Sequence, residues 1–384
     1  MSDEPSPMKG TLADSNGAAS AFAVHLEKEL ADRDRNYTFD IEEEKEAEQL
    51  AHFPGLAEAI RFFDSEVKSG YEKADEAAQK RQTTHRRLAC IAIIGGCLAI
   101  SFAILQLALK NSRPGWSEIV SLLEAGAVVT GVTAVVMGVI AKVNHQWFIQ
   151  RHIAERLRML KFQALGRPEF WSGDLEAWKT WMRKEHDGIS RIATIEEVAA
   201  WEKGGSAEPY VPPVPACLLD DSERLGAATY YRYKRVRFQA RYFETQSRKF
   251  AAETHWLHRL SYPIFVTSIV AVILHFVADS VAHRSEDAAV EEVWQAVGTW
   301  ALVFAALLPV VGFGVRAWIG AFERTRSSRL YEDKRQELMK TFAGMAHDGC
   351  DCAATMHHIA HVEHCLENEH REWLRLLIEA EWFL

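Results

Sequence analysis

Four long apolar runs alternate with charged stretches along this chain, and they form two close pairs. The runs cover Leu88–Leu109, Ile119–Val143, Leu260–Ala278 and Val293–Val315. A helix of about 20 apolar residues crosses the roughly 30 Å hydrocarbon core of a bilayer. The pattern therefore predicts an integral membrane protein whose four transmembrane helices form two hairpins.

A soluble helical bundle with buried hairpins is the alternative to membrane insertion. The runs contain a few features that weaken the membrane pattern: Glu124, His275 and Pro309. A surface helix of a soluble protein nevertheless needs a polar face for water, and runs of this length offer none. We therefore expect all four runs to lie in lipid.

Basic residues predict the orientation of the four helices. Clusters of Lys and Arg precede the first and third runs and follow the second and fourth, whereas the loops inside each pair hold few of them. Since positive charge stays on the cytoplasmic side, both termini and the middle segment are expected in the cytoplasm.

The polar stretches predict an all-α organisation with a repeated unit. Residues 54–165 and 227–345 each read as a charged helix, a transmembrane hairpin and a second charged helix, and the long cytoplasmic helices are expected to form a bundle. Residues 166–226 predict a tryptophan-rich helix followed by a Pro/Gly linker. Residues 1–25 are polar and predict a disordered tail, and residues 346–384 predict a C-terminal helix suited to a bundle or coiled coil.

The helix that follows the second run is predicted to be amphipathic. One face carries apolar residues at helical spacing and the other carries charged ones: Ile149, Ile153, Leu157 and Leu160 against Arg151, Glu155 and Arg158. The apolar face is expected to pack against a partner helix.

No sequence motif points to an enzyme. Gly312-Phe313-Gly314 lies inside an apolar run and lacks the lysine and helix start of a phosphate-binding loop. A nucleophile elbow, a paired zinc-hydrolase helix motif and a kinase-like set of motifs are also missing. We expect a protein without catalytic activity and without a nucleic-acid partner.

Histidine and cysteine concentrate near the end of the chain. On a helix, His357, His361 and His364 share a face beside Cys365, so their nitrogens and sulfur could hold a metal ion such as zinc. The spacing is irregular and lacks a Cys-x-x-Cys pair, which leaves a solvated histidine-rich face or a pH-sensitive patch as alternatives. No cofactor is assigned, and the six cysteines of the chain are expected to be reduced thiols.

Several polar side chains fall inside the apolar runs. Glu124 and His275 are expected about 6 to 8 Å below the outer membrane boundary at 1.5 Å per residue. They could line a pore or pair with each other, or extend toward the headgroups instead. Thr130 and Thr133, together with Gly126, form a mildly polar strip suited to an ion path.

Small residues four apart predict close helix packing within or between chains. They are Gly95, Ala99 and Ala103 in the first run, and the pairs Ala127 with Gly131 and Ala134 with Gly138 in the second. Such contacts are compatible with a homo-oligomer.

Three short segments resemble the SLATT family, the SMODS- and SLOG-associating two-transmembrane effectors. The first lies in residues 142–158, where Trp147 is followed four residues later by Arg151 and then by Ala154-Glu155 and Leu157-Arg158. The other two segments are marked by Gln239, Tyr242, Phe243 and Lys249, and by Glu363, Leu366, Glu369 and Trp373. The resemblance covers most of the chain from about Leu56 onward.

This resemblance implies an effector of a prokaryotic conflict system that acts against phage. Such a protein would oligomerise and breach the inner membrane when a sensor protein or a nucleotide signal releases it. The chain departs from the simplest members because it has two hairpins and no recognisable sensor domain. The alternatives are a membrane-anchored scaffold or sensor with a histidine-rich end, and a transporter, although the inverted repeat often found in transporters is missing.

Overall fold

The protein is helical throughout its described parts. The structure, a computed structural model, describes residues 8–32, 48–110, 113–205, 208, 217–321, 324–347 and 351–379. Helices account for 90% of it, and these described residues contain no strand. The prediction of an all-α protein is confirmed.

Most of the helices from Pro54 onward follow one another with connections of five residues or fewer. In chain order they are α1 (Met8–Asp32), α2 (Pro54–Glu66), α3 (Lys68–Leu109), α4 (Pro114–Ile140), α5 (Val143–Leu165), α6 (Pro168–Trp171), α7 (Leu175–Ser190), α8 (Ile195–Lys203), α9 (Asp221–Tyr231), a π-helical turn (Arg232–Arg237), α10 (Phe238–Ala282), α11 (Ala288–Ala321), α12 (Arg324–His347) and α13 (Cys352–Glu379).

Four of these helices are long and apolar enough to cross a membrane. The candidate spans are Lys68–Leu109, Pro114–Ile140, Tyr262–Ala282 and Ala288–Trp318. Three of the apolar runs each fall on one helix, whereas the second run, Ile119–Val143, extends three residues past the end of α4. Between 11% and 22% of the most apolar window of each span is buried within the chain. Most of these apolar side chains are therefore available to lipid or to other protein surfaces.

The chain divides into two compact units whose boundaries cut through helices. The first unit takes residues 1–80, 145–246 and 330–380, and the second takes residues 81–144 and 247–329. Each sequence repeat predicted above therefore contributes to both units. The polar helices gather in the first unit and the apolar spans in the second.

The N-terminal segment differs from the predicted disordered tail. Residues 1–7 lie outside the described residues, but Met8–Asp32 forms helix α1. Its Phe22, Leu26 and Leu30 are buried, at 0%, 1% and 5% exposure. These three residues are four apart and form an apolar stripe at the end of a segment whose beginning is polar. A tail was expected for residues 1–25, and the part of it that the structure describes, residues 8–25, belongs to a helix.

Long helices lead into both pairs of spans, whereas a break separates the first pair from the helix that follows it. Helix α3 begins after a break at Val67, and α9, the π turn and α10 continue without a break through Pro263. The chain leaves α4 through Lys142, whose φ of 46° lies in the left-handed region. This conformation is unfavourable for a residue with a side chain and ends the helix before α5 starts.

Candidate functional site: a buried ionic network in the first unit

Helix α5 is buried on both of its faces. Ile153 and Leu157 of the apolar face are 8% and 1% exposed, which confirms that this face packs against other helices. Glu155 and Arg158 of the charged face are also buried, at 7% and 9% exposure. Burying charged groups is costly unless each is paired, so the surroundings of this face must supply partners.

The Glu155 carboxylate lies between two guanidinium groups of its own helix. Arg151 and Arg158 contact its two oxygens, and Arg151 also places Nη1 at 3.3 Å from Oδ1 of Asp75 in α3. Burial alone would raise the pKa of Glu155, but the two arginines lower it to about 2. Glu155 is therefore ionised at neutral pH, and the pairs join α5 to α3.

Glu369 of α13 lies near these groups, and its pKa is shifted in the opposite direction from that of Glu155. Burial raises the pKa of Glu369, the nearby negative charge of Glu155 raises it further, and Arg158 and Arg151 offset part of the rise, which leaves a pKa of about 7. The two carboxyls therefore have very different proton affinities. Near neutral pH the Glu369 side chain exchanges between its neutral and charged forms.

A histidine–tryptophan cluster extends the network. Nδ1 of His152 lies 3.1 Å from Nε2 of His370, so one ring donates a hydrogen bond to the other. Burial lowers the pKa of His152 to about 2 and that of His370 to about 3, and both rings are neutral. The Trp201 ring lies 4.7 Å from His152 and has the guanidinium of Arg371 at 3.7 Å from its centre, a cation–π contact.

A second buried ion pair joins the π turn to α13. Arg235 donates from Nε and Nη2 to the two oxygens of Glu363, at 2.8 and 2.7 Å, and the Tyr231 hydroxyl donates to the same carboxylate at 2.8 Å. The side chains of Arg235 and Glu363 are 3% and 6% exposed. A bidentate contact of this kind fixes the relative orientation of the two groups as well as the distance between them.

The π turn explains how neighbouring residues reach different helices. Lys234, Arg235 and Val236 are consecutive and all buried, whereas a regular α-helix turns successive side chains by about 100° away from one another. Lys234 donates to Glu29 of α1 at 2.9 Å, while Arg235 binds Glu363 of α13. The turn therefore connects the N-terminal and the C-terminal helices of the first unit.

We expect the stability contributed by Glu369 to fall as the pH rises. The pKa of Glu369 is about 7 in the folded chain, compared with an ordinary value of 4.5 that applies to the unfolded chain. Between pH 4.5 and 7 the folded protein therefore binds this proton more tightly than the unfolded protein does, and the resulting stability is lost as the pH rises. The variant Glu369→Gln does not titrate. Its free energy of unfolding relative to the wild type should therefore increase by on the order of 2 kcal/mol as the pH rises through this window. A pKa difference corresponds to about 1.4 kcal/mol per unit, and the expected total is smaller than this conversion gives because the side chain is only half-buried.

The measurement is denaturant unfolding of the detergent-solubilised protein at a series of pH values. Glu176→Gln serves as the control because that side chain is 82% exposed and forms a surface ion pair with Lys179. Parallel pH profiles of the wild type and Glu369→Gln would contradict the assignment.

The polar residues predicted inside the membrane take separate positions in the second unit. His275 lies 2.9 Å from the carbonyl oxygen of Gly298, so α10 and α11 are joined there by a hydrogen bond. Glu124 is half-buried on α4. Thr130 and Thr133 are exposed on the same helix, and the Thr130 hydroxyl donates to the Gly126 carbonyl at 2.7 Å.

The small residues predicted for packing lie at a close helix crossing. A Cβ atom on Gly95 would meet the Gly131 Cα at 3.0 Å and the Ala127 carbonyl oxygen at 3.1 Å. Gly95, Gly131 and Gly138 are buried, and Ala99 and Ala103 are half-buried. At Gly95 the stripe therefore brings α3 and α4 of one chain together.

Gly95→Ala is expected to destabilise the second unit, whereas Gly96→Ala is not. The new methyl group at residue 95 meets backbone atoms that cannot rotate away, and overpacking of this kind costs about 1 to 3 kcal/mol. The neighbouring Gly96 has nothing within 4 Å of its Cβ position. Thermal unfolding in detergent measures both variants, and equal melting temperatures would exclude the close crossing.

The histidine-rich end is a partly paired helix surface. His361 lies 3.6 Å from Glu337, the Asn368 side chain donates to His364 at 2.9 Å, and His357 is exposed. Cys365 is buried, and burial raises its pKa. Across the described ranges, no group of three His, Cys, Asp or Glu residues is placed to hold a metal ion.

Comparisons of the chain with family models, curated proteins and solved structures find no match. The functional argument therefore depends on the residues of this chain alone. The most informative of them, the pairs around Glu155 and Glu363, were not among the predicted site residues. Their sequence signals are the Arg-x-x-x-Glu-x-x-Arg spacing from Arg151 to Arg158, and glutamates that interrupt the apolar stripe of α13.

Proposed function

We propose that this protein is a SLATT-like effector that forms an oligomeric channel in the bacterial inner membrane as part of an anti-phage system. The observation that carries the proposal is that α3 and α10 each run without a break from residues of the first unit into an apolar span. A rotation or tilt imposed on the polar part of such a helix reaches its membrane part directly. The four spans form two hairpins, and both termini are cytoplasmic.

The buried ionic network supports a gating role for the first unit. Asp75 of α3 is bound to Arg151, and the π turn leading into α10 is bound to Glu363. Both helices that enter the membrane are thus held by charge pairs, which a partner or ligand can exchange for its own charges. Arg151, Glu155 and Glu363 are also residues on which the resemblance to the SLATT family depends.

The exposed surface of the spans supports an oligomer. Little of each span is buried within the chain, and Gly131 of α4 packs against α3 while Thr130 and Thr133 remain exposed. Several copies that pack side by side would bury the apolar faces and place the threonines along a shared water-filled path. The activating partner, a sensor protein or a nucleotide signal, would act on the cytoplasmic helices.

Expression in bacteria with a membrane-potential dye tests the proposal without knowledge of the activator. Asp75→Ala removes the partner that holds Arg151 to α3, so this variant should depolarise cells at inducer levels where the wild type remains silent. Glu72→Ala is the matched control, since Glu72 is on the same helix but is 60% exposed, and its contact with Lys68 is a long surface ion pair of 4.0 Å.

Purified Asp75→Ala protein in planar bilayers provides the second measurement. We expect discrete conductance steps from this variant and fewer from the wild type. An unchanged potential in cells together with electrically silent bilayers would reject the channel, and would favour the alternative of a membrane-anchored scaffold.

A further inference from the structure

A basic residue marks one end of each apolar span. The four residues are Arg87 before Leu88, Lys142 beside Val143, Arg259 before Leu260 and Arg316 after Val315. Each of the four side chains is exposed, and all of them belong to the second unit. We call the end of a span that carries such a residue its basic end.

Hydrogen bonds show that the second pair of spans has both of its basic ends on one side. They join a later residue of α10 to an earlier residue of α11 and an earlier residue to a later one: His275 to the Gly298 carbonyl at 2.9 Å, and Ser268 to the Ala305 carbonyl at 3.1 Å. The two helices therefore run in opposite directions. Arg259 and Arg316 lie roughly nine to eleven residues past the second bond, about 14 to 17 Å along each helix, at the same end of the pair.

The first pair of spans has the same arrangement. Helices α3 and α4 approach closely at Gly95, since a Cβ atom on Gly95 would meet the Gly131 Cα at 3.0 Å. The short connection after Leu109 reverses the chain between these helices. Arg87 precedes Gly95 and Lys142 follows Gly131, so these two basic residues also share one end of their pair.

Acidic residues are scarce at the basic ends and common at the opposite end of the second pair. No Asp or Glu lies three or four positions from Arg87 or Arg259, so neither arginine has a carboxylate on its own helix face. Arg284 is the only Lys or Arg between α10 and α11, and acidic residues surround it: Asp279, Glu286, Asp287, Glu291 and Glu292. That end would repel an anion that the basic end attracts.

Exposed aromatic rings accompany Arg259. Trp256 and Tyr262 lie three positions before and after it, and they are 62% and 74% exposed. Rings with a polar group are typical of the level at which the hydrocarbon of a bilayer meets its headgroups. Arg259 therefore lies at the depth of the lipid phosphates when its span crosses a membrane.

We propose that the basic ends of the two pairs of spans bind the headgroups of anionic phospholipids. A guanidinium group donates two parallel hydrogen bonds to a phosphate, and Arg87 and Arg259 stand where the apolar runs begin. An anionic lipid offers its net negative charge to these residues, whereas a zwitterionic lipid brings a cation of its own. The proposal requires that the spans lie in a bilayer, but it does not require that the protein conducts ions.

The experiment titrates the delipidated full chain in neutral detergent with phosphatidylglycerol or phosphatidylcholine, both carrying the same brominated acyl chains. Bromine quenches nearby tryptophan, and the exposed Trp256 beside Arg259 reports binding. We expect the wild type to bind phosphatidylglycerol more tightly than phosphatidylcholine. This preference should shrink in about 1 M salt, where the screening length falls to about 3 Å.

A double variant and a matched control locate the site. Arg87→Gln with Arg259→Gln removes one charge from each basic end and should weaken phosphatidylglycerol binding about fivefold, the effect of one charge near a membrane surface. Binding of phosphatidylcholine should not change. Arg113→Gln with Arg284→Gln removes the same charge from exposed residues at the opposite ends, and it should retain the preference of the wild type.

Three results would overturn the proposal. They are equal affinity of the wild type for the two lipids, an equal loss in the double variant and its control, and displacement of phosphatidylglycerol by inorganic phosphate at the same concentration, which would assign the basic ends to a soluble anion. If the double variant does not fold, the comparison of the two lipids and the salt dependence of the wild type decide.

Discussion

Arg235→Met is expected to lower the free energy of unfolding by about 3 to 5 kcal/mol. The substitution leaves the Glu363 carboxylate, with its side chain 6% exposed, without the guanidinium that donates to both of its oxygens. Tyr231 still donates one hydrogen bond, but a hydroxyl does not neutralise the charge. The effect should be measured by denaturant unfolding in mixed micelles, with tryptophan fluorescence as the signal.

Two controls separate the buried pair from a general effect of losing an arginine. The double variant Arg235→Met with Glu363→Leu removes both charges, and it should recover most of the lost stability because neither charge remains buried alone. Arg183→Ala removes an arginine whose side chain is 53% exposed and 3.5 Å from Glu66, and it should cost less than about 1 kcal/mol. A double variant no more stable than Arg235→Met would contradict the explanation.

Trp178→Ala is expected to have an effect of similar size, about 3 to 5 kcal/mol, for a reason of packing. The Trp178 side chain is fully buried, and its ring lies 5.4 Å from that of Phe63 in an edge-to-face contact. Its indole N–H donates to the Ala164 carbonyl at 2.8 Å, at the C-terminal end of α5. The substitution leaves a large cavity and a buried carbonyl without its donor.

Trp181→Ala is the matched control, since it removes the same side chain from the same helix. Trp181 is half-buried and is contacted on its face by Arg167, whose guanidinium lies 4.7 Å from the ring centre. We expect a loss of about 1 kcal/mol there, in line with a cation–π contact near the surface. Both variants lose one tryptophan, so their fluorescence baselines are comparable. Similar losses for the two would show that the core of the first unit lies elsewhere.

The apolar spans could be predicted from the sequence because membrane insertion depends on the composition of a local stretch. Three of the four runs each fall on one long helix, and the second run continues three residues past the end of α4. The break at Lys142 was not predicted. A left-handed backbone conformation is normally indicated by glycine or asparagine, and here the residue is a lysine.

The pairs of the ionic network that connect different helices could not be predicted because they join distant parts of the chain. Nothing in the sequence near Asp75 indicates Arg151 as its partner, nor does Arg235 indicate Glu363. The charged face of α5 resembled the solvated face of an ordinary amphipathic helix, and only the packing of α13 against it shows that both faces are covered. Three consecutive residues of the π turn are buried as well. A sequence-based interpretation assumes the 3.6-residue period of an α-helix, in which buried and exposed positions alternate, so it could not predict this burial.

The left-handed residue Lys142 gives the two ends of the first pair of spans different connections to the polar helices. Helix α3 carries polar residues and an apolar span in one continuous helix, whereas α4 ends at Ile140 and α5 begins at Val143, on the far side of Lys142. The proposed gating signal would therefore enter this pair of spans along α3 and not along α5.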